Sequence, residues 1–239
     1  MKKLLNIFAA ALLTFSFIIL SAKSNEQKQM IGVVGAVSGS VKAENRDLKT
    51  GDKIYLDEMI ISSDSSGAQI LLLDQSTFTI GADSEVVMDT FIYDPKQNDG
   101  AIVANVKKGS LKVISGLISK KNPDNLTVNV PEGTLGSRGT EFQTIVDKKK
   151  TQTLLIGPGK DNTLGLRPGA VLVANKKGST LLNNPYSISI MQKGKAPSQA
   201  KKITKNQLKK FNKKMKAVRV AKLDPSNKKE LKKEIKQDL

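Results

Sequence analysis

Between Lys53 and Ile190 the apolar residues fall in short β-branched and aliphatic runs, not at the three-four spacing of amphipathic helices. The runs are Lys53–Ile61, Ala68–Leu73, Thr77–Ile80, Glu85–Tyr93, Ala101–Val106, Leu111–Ile114, Leu126–Val130, Thr140–Val146, Thr151–Ile156, Ala170–Ala174 and Ser187–Ile190. Strands recurring at roughly 8 to 12 residues predict an all-β body. Asn98-Asp99-Gly100 stands between two runs and predicts a hairpin, with glycine where positive φ is needed. The unbroken Ile70-Leu71-Leu72-Leu73 predicts a strand covered on both faces.

All 18 glycines lie between Gly32 and Gly194, and seven of the eight prolines between Pro95 and Pro197, so the turn formers mark the limits of this body. Three glycine-centred segments resemble one another: Val37 to Val41, Lys107 to Val113 and Arg167 to Val173 each set an apolar residue two positions after glycine. Such recurrence fits the coils of a β-solenoid, and any Gly-turn-strand unit of a twisted barrel or sandwich as well. Either architecture accommodates the pattern.

The two ends differ from the body. Lys2 and Lys3 precede an apolar run from Leu4 to Leu20, which closes on Ser21-Ala22-Lys23-Ser24; this is the pattern of a secretory signal peptide over residues 1–24, cleaved after Ala22 or Ser24. Read instead as an inner-membrane anchor over residues 4–20, it would span about 26 Å, short of the roughly 30 Å hydrocarbon core. The expected product is therefore exported or periplasmic. The all-β body is expected over 25–197 and a Lys-rich helical tail over 198–239. From Ala200 onward fifteen basic residues face four acidic ones, a net of +11 out of the chain's +17. Thr204 and Gln207 form a capping-box pattern, and Leu208, Phe211, Met215 and Val218 follow at helical spacing, predicting a helix from about Lys205 to Lys222. Its narrow apolar stripe suits packing on the body. Asp224-Pro225 stops it, and Asn227 with Glu230 can start a second helix carrying Leu231, Ile235 and Leu239 on one face.

Composition narrows the chemistry. The 239 residues include no His, Cys or Trp, which removes Ser-His-Asp and Cys-His nucleophile systems, imidazole or thiolate metal sites, and disulfides. No cofactor and no metal are expected. Gly133 to Thr140 has loosely the glycine spacing of a nucleotide loop, but a strand follows it and not a helix. Gly157-Pro158-Gly159-Lys160-Asp161 is too short for a P-loop and predicts a turn. Asp57 and Glu58 would point to opposite faces of a strand, whereas Asp83 and Glu85 could share one at the separation of paired glycosidase carboxyls; solvated acidic positions are the commoner meaning. For the basic tail, nucleic acid is disfavoured, because only seven aromatics lie beyond the leader and no recognition motif is present. An envelope protein or an anionic lipid or glycan surface is the better class of partner.

Five stretches together resemble the FecR domain: Gly35 to Val41, Leu48-Lys49-Thr50-Gly51-Asp52, Ile61 to Ala68, Leu73 to Ser76, and Val130-Pro131-Glu132-Gly133 through Arg138-Gly139-Thr140-Glu141-Phe142. That family is named for the iron-dicitrate sensor, which carries signals across the periplasm. The resemblance covers about Ile31 to Val146 and is most specific at Gly51-Asp52 and at Arg138-Gly139-Thr140 with Phe142. Where the family commonly has Asp-Gly-Ser, this chain has Asp74-Gln75-Ser76, so a differently built turn is expected there. Only Met1 to Lys3 precede the apolar run, where the namesake regulators carry an anti-sigma arm; the resemblance therefore implies a stand-alone exported FecR-domain protein. On the residues themselves, Gly51, Gly133, Gly136 and Gly139 are expected to supply turns or close backbone approach, and Asp52, Asp74 and Thr140 to tie their turns by side-chain hydrogen bonds. Arg138 is expected to satisfy loop carbonyls, Asp52 or Asp74, with the grip of a partner carboxylate as the functional alternative. Together these readings predict a non-enzymatic binding or scaffolding module. Its rivals are a component of FecR-type transmembrane signalling and a carbohydrate-active enzyme using Asp83 and Glu85.

Overall fold

Strands of alternating burial satisfy their backbone only by pairing, and here they pair into one open sheet that folds on itself. The computed structural model describes residues 28–159 and 168–221, within which seventeen strands share a continuous hydrogen-bonded network. The leader, the second tail helix and the Lys160-Asp161 end of the predicted turn lie outside the described residues. In spatial order the first layer holds β4 (Lys53–Tyr55), β1 (Met30–Ser38), β6 (Gly67–Leu72), β7 (Thr77–Ile80), the C-terminal half of β9 (Asp99–Ile114), β12 (Glu141–Asp147), β13 (Lys150–Gly157), β16 (Ser187–Gln192) and β17 (Lys201–Lys202). The second holds β3 (Arg46–Asp47), β2 (Val41–Ala43), β5 (Met59–Ser62), β8 (Ser84–Asp94), the N-terminal half of β9, β10 (Leu126–Val130), β11 (Gly133–Arg138), β14 (Ala170–Asn175) and β15 (Gly178–Leu182). Every pairing is antiparallel except β9 with β10, which the chain reaches through a helical crossover, α1 (Leu117–Lys121), and the 3-10 turn Pro123–Asn125.

One apolar cluster fills the space between the layers. The first layer contributes Val34, Ile70, Phe78, Leu111 and Phe142 to it, and the second Ile60, Met88, Phe91, Ile102 and Leu135. The outer face of the first layer has a second, smaller core, in which Phe211 of α2 (Lys205–Lys214) packs on Ile145, Leu154 and Ile188. The capping box forms as read: Thr204 Oγ1 accepts the Gln207 N–H at 3.2 Å, and Gln207 Oε1 accepts the Thr204 N–H at 3.0 Å. The predicted single helix is broken at Met215 and resumes as α3 (Lys216–Ala221), with Phe211, Met215 and Val218 all buried on the body. On the outer face of the second layer, by contrast, Ile61, Ile92 and Leu181 are exposed.

The differences from the sequence pattern have local causes. Lys53–Ile61 is not one strand, because Asp57 takes φ 64° and turns the chain between β4 and β5. Ala101–Val106 and Leu111–Ile114 are halves of the single β9, which changes layer at Gly109 with φ 91°. The three similar glycine segments mark such corners: Gly39 lies between β1 and β2, Gly109 within β9, and Gly169 just before β14, each where the chain passes between layers. Val41, Leu111 and Val171, two residues later in each case, then enter the shared core. In Ile70–Leu73 the alternation is real, with Ile70 and Leu72 buried in the core and Leu71 half-buried on the outer face beside Gly35. The hairpin at Asn98-Asp99-Gly100 forms: Asn98 takes the left-handed turn position at φ 52°, and Asp94 pairs with Asp99 across its base.

Candidate functional site

The Arg138-Gly139-Thr140 stretch joins β11 of one layer to β12 of the other, and three buried serines staple its backbone. Ser115 Oγ, at the end of β9, accepts the Thr140 N–H at 3.2 Å and lies 2.8 Å from Ser137 Oγ. Ser119 of α1 donates to the Ser137 carbonyl at 3.0 Å and accepts the Gly139 N–H at 3.2 Å. Thr140 Oγ1 faces the carbonyls of Gly157 at 2.9 Å and Pro158 at 3.1 Å, at the end of β13. Gly139 takes φ 64°, and Phe142 is fully buried between the layers. This corner ties four chain segments together through polar groups that are all matched, as buried groups must be.

Arg138 plays no part in that knitting. Strand alternation turns Ser137 inward and Arg138 outward, so the guanidinium reaches neither Asp52 nor Asp74; its Nε donates to Asp124 Oδ1 at 3.0 Å on the surface. The structural arginine is Arg46, which sequence reading missed. Its Nη2 donates to the Lys53 carbonyl at 3.0 Å and to both oxygens of Glu58, at 3.2 and 3.1 Å, while Nη1 lies 3.5 Å from Asp52 Oδ2. Glu58, 5% exposed, also accepts the Tyr55 N–H at 3.1 Å. Asp52 accepts the Lys49 N–H at 2.8 Å, and Gly51, at φ 91°, donates its N–H to the Val34 carbonyl at 2.8 Å, docking this turn on β1.

Asp74 is fully buried and accepts both the N–H of Ser76 at 2.9 Å and its hydroxyl at 2.8 Å. Burial pushes its carboxyl above the ordinary value, against the pull of the Ser76 and Ile118 hydrogen bonds. The turn keeps the geometry glycine would favour, with Gln75 at φ 67°. Ser76 Oγ accepts the Gly116 N–H at 2.9 Å and the Asp74 carbonyl accepts the Leu117 N–H at 2.8 Å, so the turn seats α1. Among the motif glycines, Gly133 lies inside β11 in close approach to the Ala174 carbonyl, whereas a Cβ on Gly136 would meet nothing nearer than Leu172 at 3.8 Å. Gly136 thus supplies neither turn nor close approach.

The candidate carboxylate pair is not assembled. Asp83 sits before β8 at φ 55°, outside the alternation that would align it with Glu85, and the two are drawn to different lysines, Lys214 at 2.9 Å and Lys108 at 2.7 Å. Beside the serine-stapled corner a cavity of about 620 Å³ opens, edged by Lys121, Pro123, Arg138 and Pro158. Nearby, the Gly100 N–H, then Lys121 and Asn122, hold the Asp99 carboxyl below its usual range.

This geometry defines an open, two-layered all-β domain whose sequence motif builds a corner. A family model described as FecR protein matches residues 58–157, and over that stretch the chain is similar to the FecR domain. The match begins later and ends later than the stretch of resemblance, taking in β13 and the Gly157 carbonyl that receives Thr140. No curated protein matches the chain. Two crystal structures of a candidate anti-sigma factor from Parabacteroides distasonis ATCC 8503, at 1.65 and 2.50 Å resolution, are similar over 63% of this chain at 10% identity, with TM-scores of 0.48 and 0.46. The chain covers 62% of the length of those structures.

Proposed function

We propose that the protein is an exported, non-catalytic module of the cell envelope that works by binding a protein partner. One observation carries this reading: apart from Arg138, the polar residues that define the motif spend hydrogen bonds on neighbouring backbone, from Thr140 on Gly157 to Asp74 on Ser76 and Asp52 on Lys49. What the motif builds is a shape, and the layered shape leaves the outer face of the second layer bearing exposed Ile61, Ile92 and Leu181. These side chains stand apart, on β5, β8 and β15, and offer separate contact points to another protein and not one continuous patch. The lysine-rich tail adds attraction for an anionic partner or surface. Export is proposed on the Met1–Ala22 pattern.

The FecR domain favours a second reading within this one, in which the partner is a separate membrane protein of a signalling system. A photo-crosslinking side chain at Ile92, introduced in cells, should trap one discrete envelope protein, and the same side chain at Tyr186 on the opposite face should not. A receptor or membrane regulator in the adduct selects the signalling reading. Adducts from neither position, or turnover of a glycan by the purified protein that Glu85→Gln abolishes, would overturn the proposal.

A further inference from the structure

The outer face of the first layer carries a polar row where helix packing calls for an apolar one. Cross-strand pairing sets Thr79 of β7 beside Lys112 of β9, Lys112 beside Gln143 of β12, Gln143 beside Leu154 of β13, and Leu154 beside Ile188 of β16. The far half of this row is core under Phe211. The near half borders a cleft of about 350 Å³ between the sheet and the α2–α3 break, walled by Leu154, Ile156, Leu208, Met215 and Val218. Lys112 Nζ and Glu141 Oε1 meet at 2.7 Å there, with side chains 22% and 32% exposed. Thr79, 3% exposed, lines the same cleft, and its hydroxyl has no hydrogen-bond partner. A buried hydroxyl left unmatched costs stability, and native structures hold few of them.

We infer that this cleft is a binding site for a small zwitterion with an apolar side chain, of the class of a free aliphatic α-amino acid. The charges decide the class. A purely anionic ligand would face the Glu141 carboxylate, and a purely cationic one the Lys112 ammonium. A ligand carrying both charges on one carbon answers both: its carboxylate takes Lys112 and, with the Thr79 side chain turned from its covered resting position, the Thr79 hydroxyl, and its ammonium takes Glu141. The apolar walls accept the side chain. The volume lies at the small end of ligand pockets, about 300 to 1,000 Å³, and so suits a single residue. Gln143 Nε2, which donates to Ser110 Oγ at 3.0 Å and the Phe211 carbonyl at 3.1 Å, anchors the covering helix to the cleft floor. The site lies on the face opposite the proposed partner surface and does not depend on it.

The test is calorimetric titration of the full-length protein with L-leucine, beside glycine, N-acetyl-L-leucine and L-leucinamide. Leucine should bind saturably. The two blocked forms, which lack one charge each and stand for the ends of a peptide, should each bind about tenfold more weakly or worse, the loss expected for one charged hydrogen bond. Glycine, which keeps both charges but lacks the side chain, should bind about tenfold more weakly or worse through lost apolar burial. Thr79→Val keeps the shape and removes the unmatched hydroxyl, so it should unfold at the same temperature or higher yet bind leucine at least about fivefold more weakly. Glu141→Gln should bring the affinity for leucine down to that for N-acetyl-leucine. No saturable heat with leucine, equal binding of the blocked forms, or undiminished binding by a folded Thr79→Val would each overturn the inference.

Discussion

Two arginines show why a residue's place in a motif does not fix its weight. Arg138 stands in the most specific stretch of the domain, yet it makes one surface hydrogen bond, to Asp124. Arg46, outside that stretch, neutralises the buried Glu58 and grips the β4 backbone. Removing a partner from a buried carboxylate costs several kcal/mol, whereas exposed pairs are worth little. Arg46→Ala should therefore destabilise by about 2 kcal/mol, discounted for the half-exposed guanidinium. Arg138→Ala should stay within about 0.5 kcal/mol of the parent, both read from urea unfolding. Asp74 gives a residue-scale prediction in pH. Its folded carboxyl titrates above the ordinary 3.8, so the native state keeps a proton the unfolded chain has already lost. Its contribution is thus fully present below pH 3.8 and falls away as pH rises through the raised value. The difference in unfolding free energy between Asp74→Asn and the parent should shift in favour of the variant from pH 4 to 7, and a constant difference would contradict the assignment.

Among the elements, the layer-changing β9 makes the sharpest demand on sequence. At Gly109 the backbone takes φ 91°, and a Cβ there would collide with the backbone of Ser84, whose hydroxyl accepts the Ser110 N–H at 2.8 Å. Gly109→Ala should cost about 3 kcal/mol from strain and overpacking combined. Gly136→Ala, in open space within β11, should be neutral or stabilise by about 0.5 kcal/mol, since glycine weakens a strand interior. Thermal unfolding of the pair separates a corner glycine from a merely tolerated one. The same contrast explains what was legible in the sequence. Runs such as Thr77–Ile80 and Leu126–Val130 coincide with β7 and β10, because local alternation and burial agree there. β1 and β11 escaped notice because Gly32, Gly35, Gly133 and Gly136 interrupt the apolar signal, although the ladders on both sides hold their backbone in place. β9 looked like two strands because Gly109 looks like a turn; it is a bend inside continuous pairing. The Arg46–Glu58 pair and the Thr79–Lys112–Gln143 row were invisible for a different reason. They exist only once register is set, and register depends on partners distant in sequence.

At the scale of the whole molecule, the question is whether the C-terminal helices belong to the folding unit or are fastened to it. Among the described residues the large core between the layers draws none from beyond Met191, so α2 and α3 contribute nothing to burial on that side. The helices add the outer cluster around Phe211, ion pairs from Lys210 to Asp147 at 2.8 Å and Lys214 to Asp83 at 2.9 Å, and the bond from the Ala82 N–H to the Lys214 carbonyl at 3.0 Å. The surface ion pairs contribute little each, so the attachment rests mainly on apolar burial. Phe211→Ala should accordingly cost about 3 kcal/mol, while charge reversal at Lys210 should cost under about 1 kcal/mol. A chain ending at Ile203 should keep its β-sheet circular dichroism and a cooperative unfolding transition, because the inner core survives. It should also bind a hydrophobic dye and self-associate through the uncovered Ile145, Leu154 and Ile188. Sedimentation of the shortened chain decides the matter: a folded, associating species makes the helices a fitted cover, and an unfolded one makes them part of the nucleus.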